Sequence, residues 1–316
     1  MSDRPGAPDE GGAAGGFGGR LRSAFDRHGQ LCVGIDPHSF LLADWGLADS
    51  ADGAREFGLR VVDAAVGKVG IVKPQVAFFE RYGAAGFGAL ESVLAAARAA
   101  GLLVIADAKR GDLGTSVEAY GQAWLTPGSP LEADALTISA YMGVGSIERP
   151  MRLAEETGKG LFVLAATSNP EALAVQTATL LVGARAGKSV AASIVEEVGE
   201  WNAAQAGRKN TTDGTPATGG TESINGVPVG SIGLVLGATV DFGAFGIDLA
   251  VGDPATPILA PGFGHQGAKF GDLGALYGPS APFAVVSASR SILQAGPDGI
   301  AEAIRAQASE VFACRA

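Results

Sequence analysis

Short apolar runs alternate with longer stretches of helical periodicity from Arg20 to the end of the chain. Eight runs of four to six residues can be read, at 31–35, 69–72, 102–106, 135–139, 161–166, 232–236, 257–260 and 283–286. Runs this short and uninterrupted predict strands buried on both faces. Apolar spacing of three and four residues predicts helices over 51–66, about 79–100, about 115–124 and about 145–156. Two more are predicted between 170 and 205, a short one over 241–249, and a last one over about 297–312. Eight strand-then-helix units across some 290 residues match the size and order of a (β/α)8 TIM barrel. A doubly wound parallel sheet is the rival. The strand count favours the barrel, as do polar functional residues at the end of almost every run rather than at one crevice.

Residues 1–19, mostly Gly, Ala, Pro, Asp and Arg, predict a disordered tail, leaving 20–316 as a single barrel domain. The rhythm breaks at 207–229, where Gly, Thr, Asn and Ser predict a flexible surface insertion. No apolar run is long enough to cross a bilayer, so no membrane partner is expected. A net charge of −10 would repel nucleic acid and anionic lipid, so an anionic substrate needs a local basic site. The two cysteines, Cys32 and Cys314, form no disulfide framework, which suggests a reducing, cytoplasmic setting. The three histidines, His28, His38 and His265, are not spaced as metal ligands, so no metal is expected. No nucleotide-binding glycine fingerprint follows the first run. His38 and His265 read as loop residues near the site and Cys32 as core.

Chemistry concentrates where the third run meets Asp107-Ala108-Lys109-Arg110-Gly111-Asp112. Residues two apart on a strand share a face, so Asp107 and Lys109 should meet at the barrel mouth. In a barrel, Asp36 and Lys73 at the ends of the first two runs converge on the same place. Lys73, Asp107, Lys109 and Asp112 then alternate in sign, and the carboxylates should hold the ammonium groups protonated. A protonated lysine can act as an acid but not as a Schiff-base nucleophile. Across the mouth, Pro261-Gly262-Phe263-Gly264-His265-Gln266-Gly267 offers backbone N–H groups to an anion, and Arg290 offers a planar donor fork. Barrels often bind phosphate at these last two loops, which predicts a phosphorylated small-molecule substrate.

With these residues assembled, the chain resembles the orotidine 5′-phosphate decarboxylase family, in particular its longer bacterial branch. The most specific element is Asp-x-Lys-x-x-Asp at 107–112. It is supported by Gly34-Ile35-Asp36-Pro37, Lys73-Pro74-Gln75-Val76-Ala77-Phe78-Phe79-Glu80, Thr167-Ser168-Asn169-Pro170, the 261–267 stretch and Ser287-Ala288-Ser289-Arg290-Ser291. The resemblance implies a cofactor-free carboxy-lyase that makes UMP from orotidine 5′-phosphate. Asp36 and Lys73 would hold the ribose hydroxyls, Ser168 and Gln266 the pyrimidine, and Gln266 with Arg290 the phosphate. Gly264, Gly267 and Ser289 complete the expected substrate-binding set. Asp107 would press on the substrate carboxylate while Lys109 protonates C6. The resemblance also implies a homodimer in which Asp112 and Ser116 reach into the partner's site; Ser116 stands where many relatives carry Thr. Two other readings stay open at this point, a magnesium-dependent keto-sugar-phosphate decarboxylase or synthase and a phosphate-ligand binding barrel without activity.

Overall fold

Each apolar run becomes a strand of one closed parallel barrel in the computed structural model, which describes residues 16–212 and 223–314. The barrel strands are β1 Leu31–Ile35, β2 Ile71–Pro74, β3 Leu103–Arg110, β4 Ala135–Ser139, β5 Gly160–Ala166, β6 Ile232–Leu236, β7 Ile258–Pro261 and β8 Ala284–Ala288. Neighbours in sequence are neighbours in space, and β1 closes the ring by pairing with both β2 and β8. The main helices are α1 Phe17–His28, α2 Ala51–Ala65, α3 Gly83–Ala99, α4 Gly114–Leu125, α5 Glu148–Glu156, α6 Val190–Thr212, α7 Leu273–Tyr277 and α8 Gly296–Ala313.

The strands are apolar along their length because each has two faces to bury. Outward residues such as Val33, Val72, Val104, Leu136, Val163 and Leu234 pack under the helices. A second cluster, including Cys32, Ile71, Leu103, Ile105, Phe162, Val235, Leu259 and Val285, fills the barrel. This interior is closed at its amino-terminal end by α1, whose Phe17, Leu21 and Phe25 belong to the same cluster. The Phe17 ring meets Phe162 edge-on at 5.9 Å. That approach requires Gly160 at the start of β5, since a Cβ there would sit 2.4 Å from the Phe17 ring.

Four expectations need correction. The predicted tail does not extend to residue 19, because Phe17, Gly18 and Gly19 are helical and buried; residues 1–15 lie outside the described residues. The signal was present in the spacing of Phe17, Leu21 and Phe25, which places one apolar stripe on a helix. At the insertion, α6 continues to Thr212, and Ser223–Ile224 pairs with Val227–Pro228 as a small antiparallel hairpin. Only the stretch between these elements, 213–222, lies outside the described residues. The short helix expected over 241–249 is a series of turns, in which the Asp241 side chain accepts from Ala244 N at 3.2 Å and competes with helical bonding. The helix expected over 79–100 is interrupted by a turn at Arg81 and Tyr82, between the short helix Ala77–Glu80 and α3, whose first residue Gly83 has a φ of +62°. Among the described residues, no helix is long and apolar enough to cross a membrane.

Candidate active site

The carboxyl ends of the strands surround a cavity of about 400 Å³. Its floor is the Asp107 side chain, 9% exposed, with both oxygens engaged. Lys73 Nζ donates to Oδ2 at 2.6 Å, and Gln75 Nε2 donates to the same oxygen at 3.2 Å. Lys109 Nζ donates to Oδ1 at 2.6 Å, and Thr137 Oγ1 donates there at 3.0 Å. Burial by itself would raise the Asp107 pKa, but the ammonium groups of Lys73 and Lys109 outweigh it and hold the carboxyl far below the usual carboxylate range. For Lys73, burial opposes the charged form, and attraction to Asp107 and Asp36 more than reverses this, so its pKa is raised. Lys73 is as buried as Asp107, whereas 47% of the Lys109 side chain is exposed, toward the cavity it lines.

Asp107 and Lys109 meet, as their spacing predicts, but not on a regular strand. Ala106 pairs with Leu136 and Arg110 with Ile138, so three residues of β3 lie opposite the single residue Thr137 of β4. The extra length is taken up at Lys109, which has a φ of +48°. Left-handed backbone at a residue with a side chain costs about 1–2 kcal/mol and persists only where its surroundings hold it. Two contacts do so here: Thr137 Oγ1 accepts from Lys109 N at 2.9 Å, and the Lys109 side chain is tied to Asp107.

Around the rest of the mouth, Asp36 follows β1 and accepts from Ser289 Oγ through Oδ2, while its Oδ1 is buried with no partner. A buried carboxylate oxygen left unpaired costs free energy, so this atom is available for a ligand donor. Ser168, after β5, donates to Gln266 Oε1 across the cavity at 3.4 Å. Arg290 lines the wall after β8. In the loop after β7, Gly262, Phe263, His265 and Gln266 line the cavity, whereas Gly264 and Gly267 do not. The N–H of Gly264 donates to Ala268 O and that of Gly267 to Gly264 O, so these two groups are used by the turn itself and are not offered to an anion. Their positive φ values, +72° and +108°, shape the loop that presents Gln266.

The expected site residues therefore fall into two groups. Asp36, Lys73, Asp107, Lys109, Ser168, Gln266, Ser289 and Arg290 line one cavity. Asp112 and Ser116 do not; the Asp112 carboxylate accepts from Leu113 N at 2.8 Å, and Ser116 is exposed in the first turn of α4. Sequence reasoning missed Thr137 and Gln75. Thr137 could have been found as the one hydroxyl in the middle of an apolar run, and Gln75 from its place two residues after Lys73. His38 lines the cavity and rests against Phe78, with ring centroids 4.2 Å apart. Burial lowers its pKa, Asp36 opposes that, and Arg290 and Arg81 reinforce it. Cys32 is core, its thiol pushed up to about 12 by burial against the opposing effect of Lys73. Among the described residues, no group of three or more His, Cys, Asp or Glu side chains is placed to hold a metal.

The profile of the orotidine 5′-phosphate decarboxylase / HUMPS family matches residues 29–306. The chain belongs to this family. It is 44% identical over 301 residues to the orotidine 5′-phosphate decarboxylase of Salinispora arenicola, covering 95% of this chain and 97% of that one. The Streptomyces coelicolor enzyme of the same name is 44% identical over 283 residues, with 89% and 91% covered. A crystal structure of a Streptomyces avermitilis chain assigned as orotidine 5′-phosphate decarboxylase superposes with a TM-score of 0.83 at 42% identity, covering 98% and 99% of the two chains. The Leishmania donovani OMP decarboxylase structure matches with a TM-score of 0.69 at 28% identity, over 95% and 99%. The near-complete coverage of bacterial relatives is in keeping with the family's longer bacterial branch.

Proposed function

We propose that this chain converts orotidine 5′-phosphate to UMP and CO2 in de novo pyrimidine biosynthesis. One observation carries the reading: a deeply buried, ionised Asp107 lies between two lysine ammonium groups, and one of those lysines, Lys109, faces the cavity. When the C6–carboxylate bond breaks, its electron pair stays on C6, which has no obvious electron sink. A preorganised cation at that atom offsets the developing charge, and Lys109 can then give its proton to form the C6–H bond. Asp107 crowds the substrate carboxylate with like charge, which is relieved as CO2 leaves. Lys73 and the unpaired Asp36 oxygen suit ribose hydroxyls. Ser168 and Gln266 suit the pyrimidine edge, and Gln266 with Arg290 the phosphate. Phosphate contacts remote from C6 can supply binding energy that holds the carboxylate against Asp107.

A metal-dependent keto-sugar chemistry fits this geometry less well. A carboxylate has about four lone-pair sites, and four donors already occupy Asp107, so a divalent cation would first have to displace the two lysines. The test is an absorbance assay of orotidine 5′-phosphate turnover with and without EDTA. Turnover indifferent to chelator is expected; loss of activity with EDTA, or UMP binding without turnover, would overturn the reading.

The reading includes a homodimer with shared sites. Asp112 and Ser116 lie outside their own cavity, and the adjoining loops expose apolar surface, with Leu113 58% and Tyr141 86% exposed. Covering such residues favours association. Mixing inactive Lys109→Ala and Asp112→Ala subunits should regain about a quarter of wild-type activity if subunits exchange at random and each site draws on both chains. A mixture that has demonstrably exchanged and stays inactive counts against sharing. A nucleotide substrate and two free cysteines fit a cytoplasmic setting.

A further inference from the structure

We infer that Thr137 is a positioning residue for the Asp107–Lys109 pair, a role that rests on the decarboxylase reading. Thr137 is 1% exposed, in the middle of β4, and its hydroxyl joins the two charged residues. It accepts from the Lys109 backbone N at 2.9 Å and donates to Asp107 Oδ1 at 3.0 Å. Because three residues of β3 face this one residue of β4, the regular ladder cannot supply a partner for Lys109 N, and the side chain takes its place. The same oxygen therefore holds the left-handed backbone of Lys109 and the carboxylate to which the Lys109 ammonium is bonded. Thr can do both because a hydroxyl is a donor and an acceptor at once, and its β-branched χ1 leaves few rotamers.

The consequence is a division of work at the barrel mouth. Lys109 and Asp107 act on the substrate, while Thr137, whose hydroxyl bonds both of them, fixes the Nζ position relative to C6. Thr137→Val keeps the shape and removes the hydroxyl. It should lower kcat for orotidine 5′-phosphate about a hundredfold, the loss that a misplacement on the order of 1 Å can cause, with UMP affinity unchanged. Thr137→Ser, which restores the hydroxyl, should bring kcat back to within about threefold of wild type. Should the valine variant fail to fold, Thr137→Ala removes the same hydroxyl without adding bulk and is read in the same way. Unchanged kcat in a folded variant lacking the hydroxyl overturns the inference, as does a parallel loss of UMP affinity or no rescue by serine. Wild-type enzyme assayed alongside keeps the two claims apart: its failure to turn over the substrate would instead sink the decarboxylase reading.

Discussion

The barrel has a buried charge network at each end, built from the same residue types and put to different uses. At the bottom, Asp134 accepts from Arg20 of α1 and from Val104 N, and Lys159 Nζ lies 2.8 Å from Glu132 and 3.6 Å from Asp134. Arg98 of α3 closes the chain of contacts on Glu132 at 2.6 Å. These bonds fasten α1, α3 and the starts of β4 and β5 together, and the loose end is Arg98 Nε, buried without a partner. At the top, Lys73, Asp107 and Lys109 are as tightly bonded, yet Lys109 stays half open and a buried oxygen of Asp36 is unpaired, both at a cavity. Buried charge alone thus does not mark a functional site. The bottom network lines a cavity too. What separates the two ends is that the Lys109 side chain is 47% exposed at its cavity beside an unpaired carboxylate oxygen, whereas Arg20, Arg98 and Lys159 are 27%, 28% and 9% exposed and are engaged by Asp134 and Glu132.

Breaking one network at a time should separate activity from stability. The largest effect is expected at the top: Lys109→Ala should fold and bind UMP, while turnover falls by on the order of 10³ or more, because the cation meeting the C6 charge is gone. Near-normal turnover in that variant would refute the mechanism. At the bottom, Asp134→Ala strands Arg20 and Lys159 without their shared carboxylate, and urea unfolding should show a loss of about 3 kcal/mol. The folded fraction should keep its kcat; a turnover defect as large as that of Lys109→Ala would erase the distinction between the two ends.

The smallest effect concerns pH. The pKa of Asp107 is lowered in the folded chain, so below the usual carboxyl pKa of about 4 the unfolded chain binds a proton there that the folded chain does not. Its contribution to stability is therefore present above that pH and lost as pH falls toward the folded value. Lys73 has the opposite sign: its pKa is raised, so its contribution is present below the ordinary ammonium value of about 10.4 and is lost only at still higher pH. Neither window touches neutrality. Urea unfolding between about pH 5 and pH 3 should show a shallower loss of stability in Asp107→Asn than in wild type. Equal slopes would remove Asp107 from the acid response.

Most of the barrel was legible because parallel strands buried on both faces leave uninterrupted apolar runs, and all eight were found. The misses have local causes. Helix α1 was hidden in a glycine-rich stretch where three apolar residues carry the whole signal. The turns after β6 were mistaken for a helix because Asp241 can satisfy backbone donors with its side chain. Asp36, Lys73, Asp107 and Lys109 were legible as charges at strand ends. Thr137 and Gln75 were legible only as polar residues in or just after an apolar run, since a neutral polar residue shows its partners only in three dimensions.

By itself the sequence determined the number and order of the strands, the charges at their ends and the family, because these depend on residue types and spacing along the chain. Tertiary structure decided the rest: the closing of β1 on β8, the sealing of the barrel by α1, and the convergence of the strand ends on one cavity. It also decided how Asp107 and Lys109 come to meet. A regular strand would bring them to one face, but the register shift against β4 and the left-handed Lys109 make the actual geometry, held by a hydroxyl from another strand. Pairing register and cross-strand hydrogen bonds are long-range properties, settled only when the strands close into a ring.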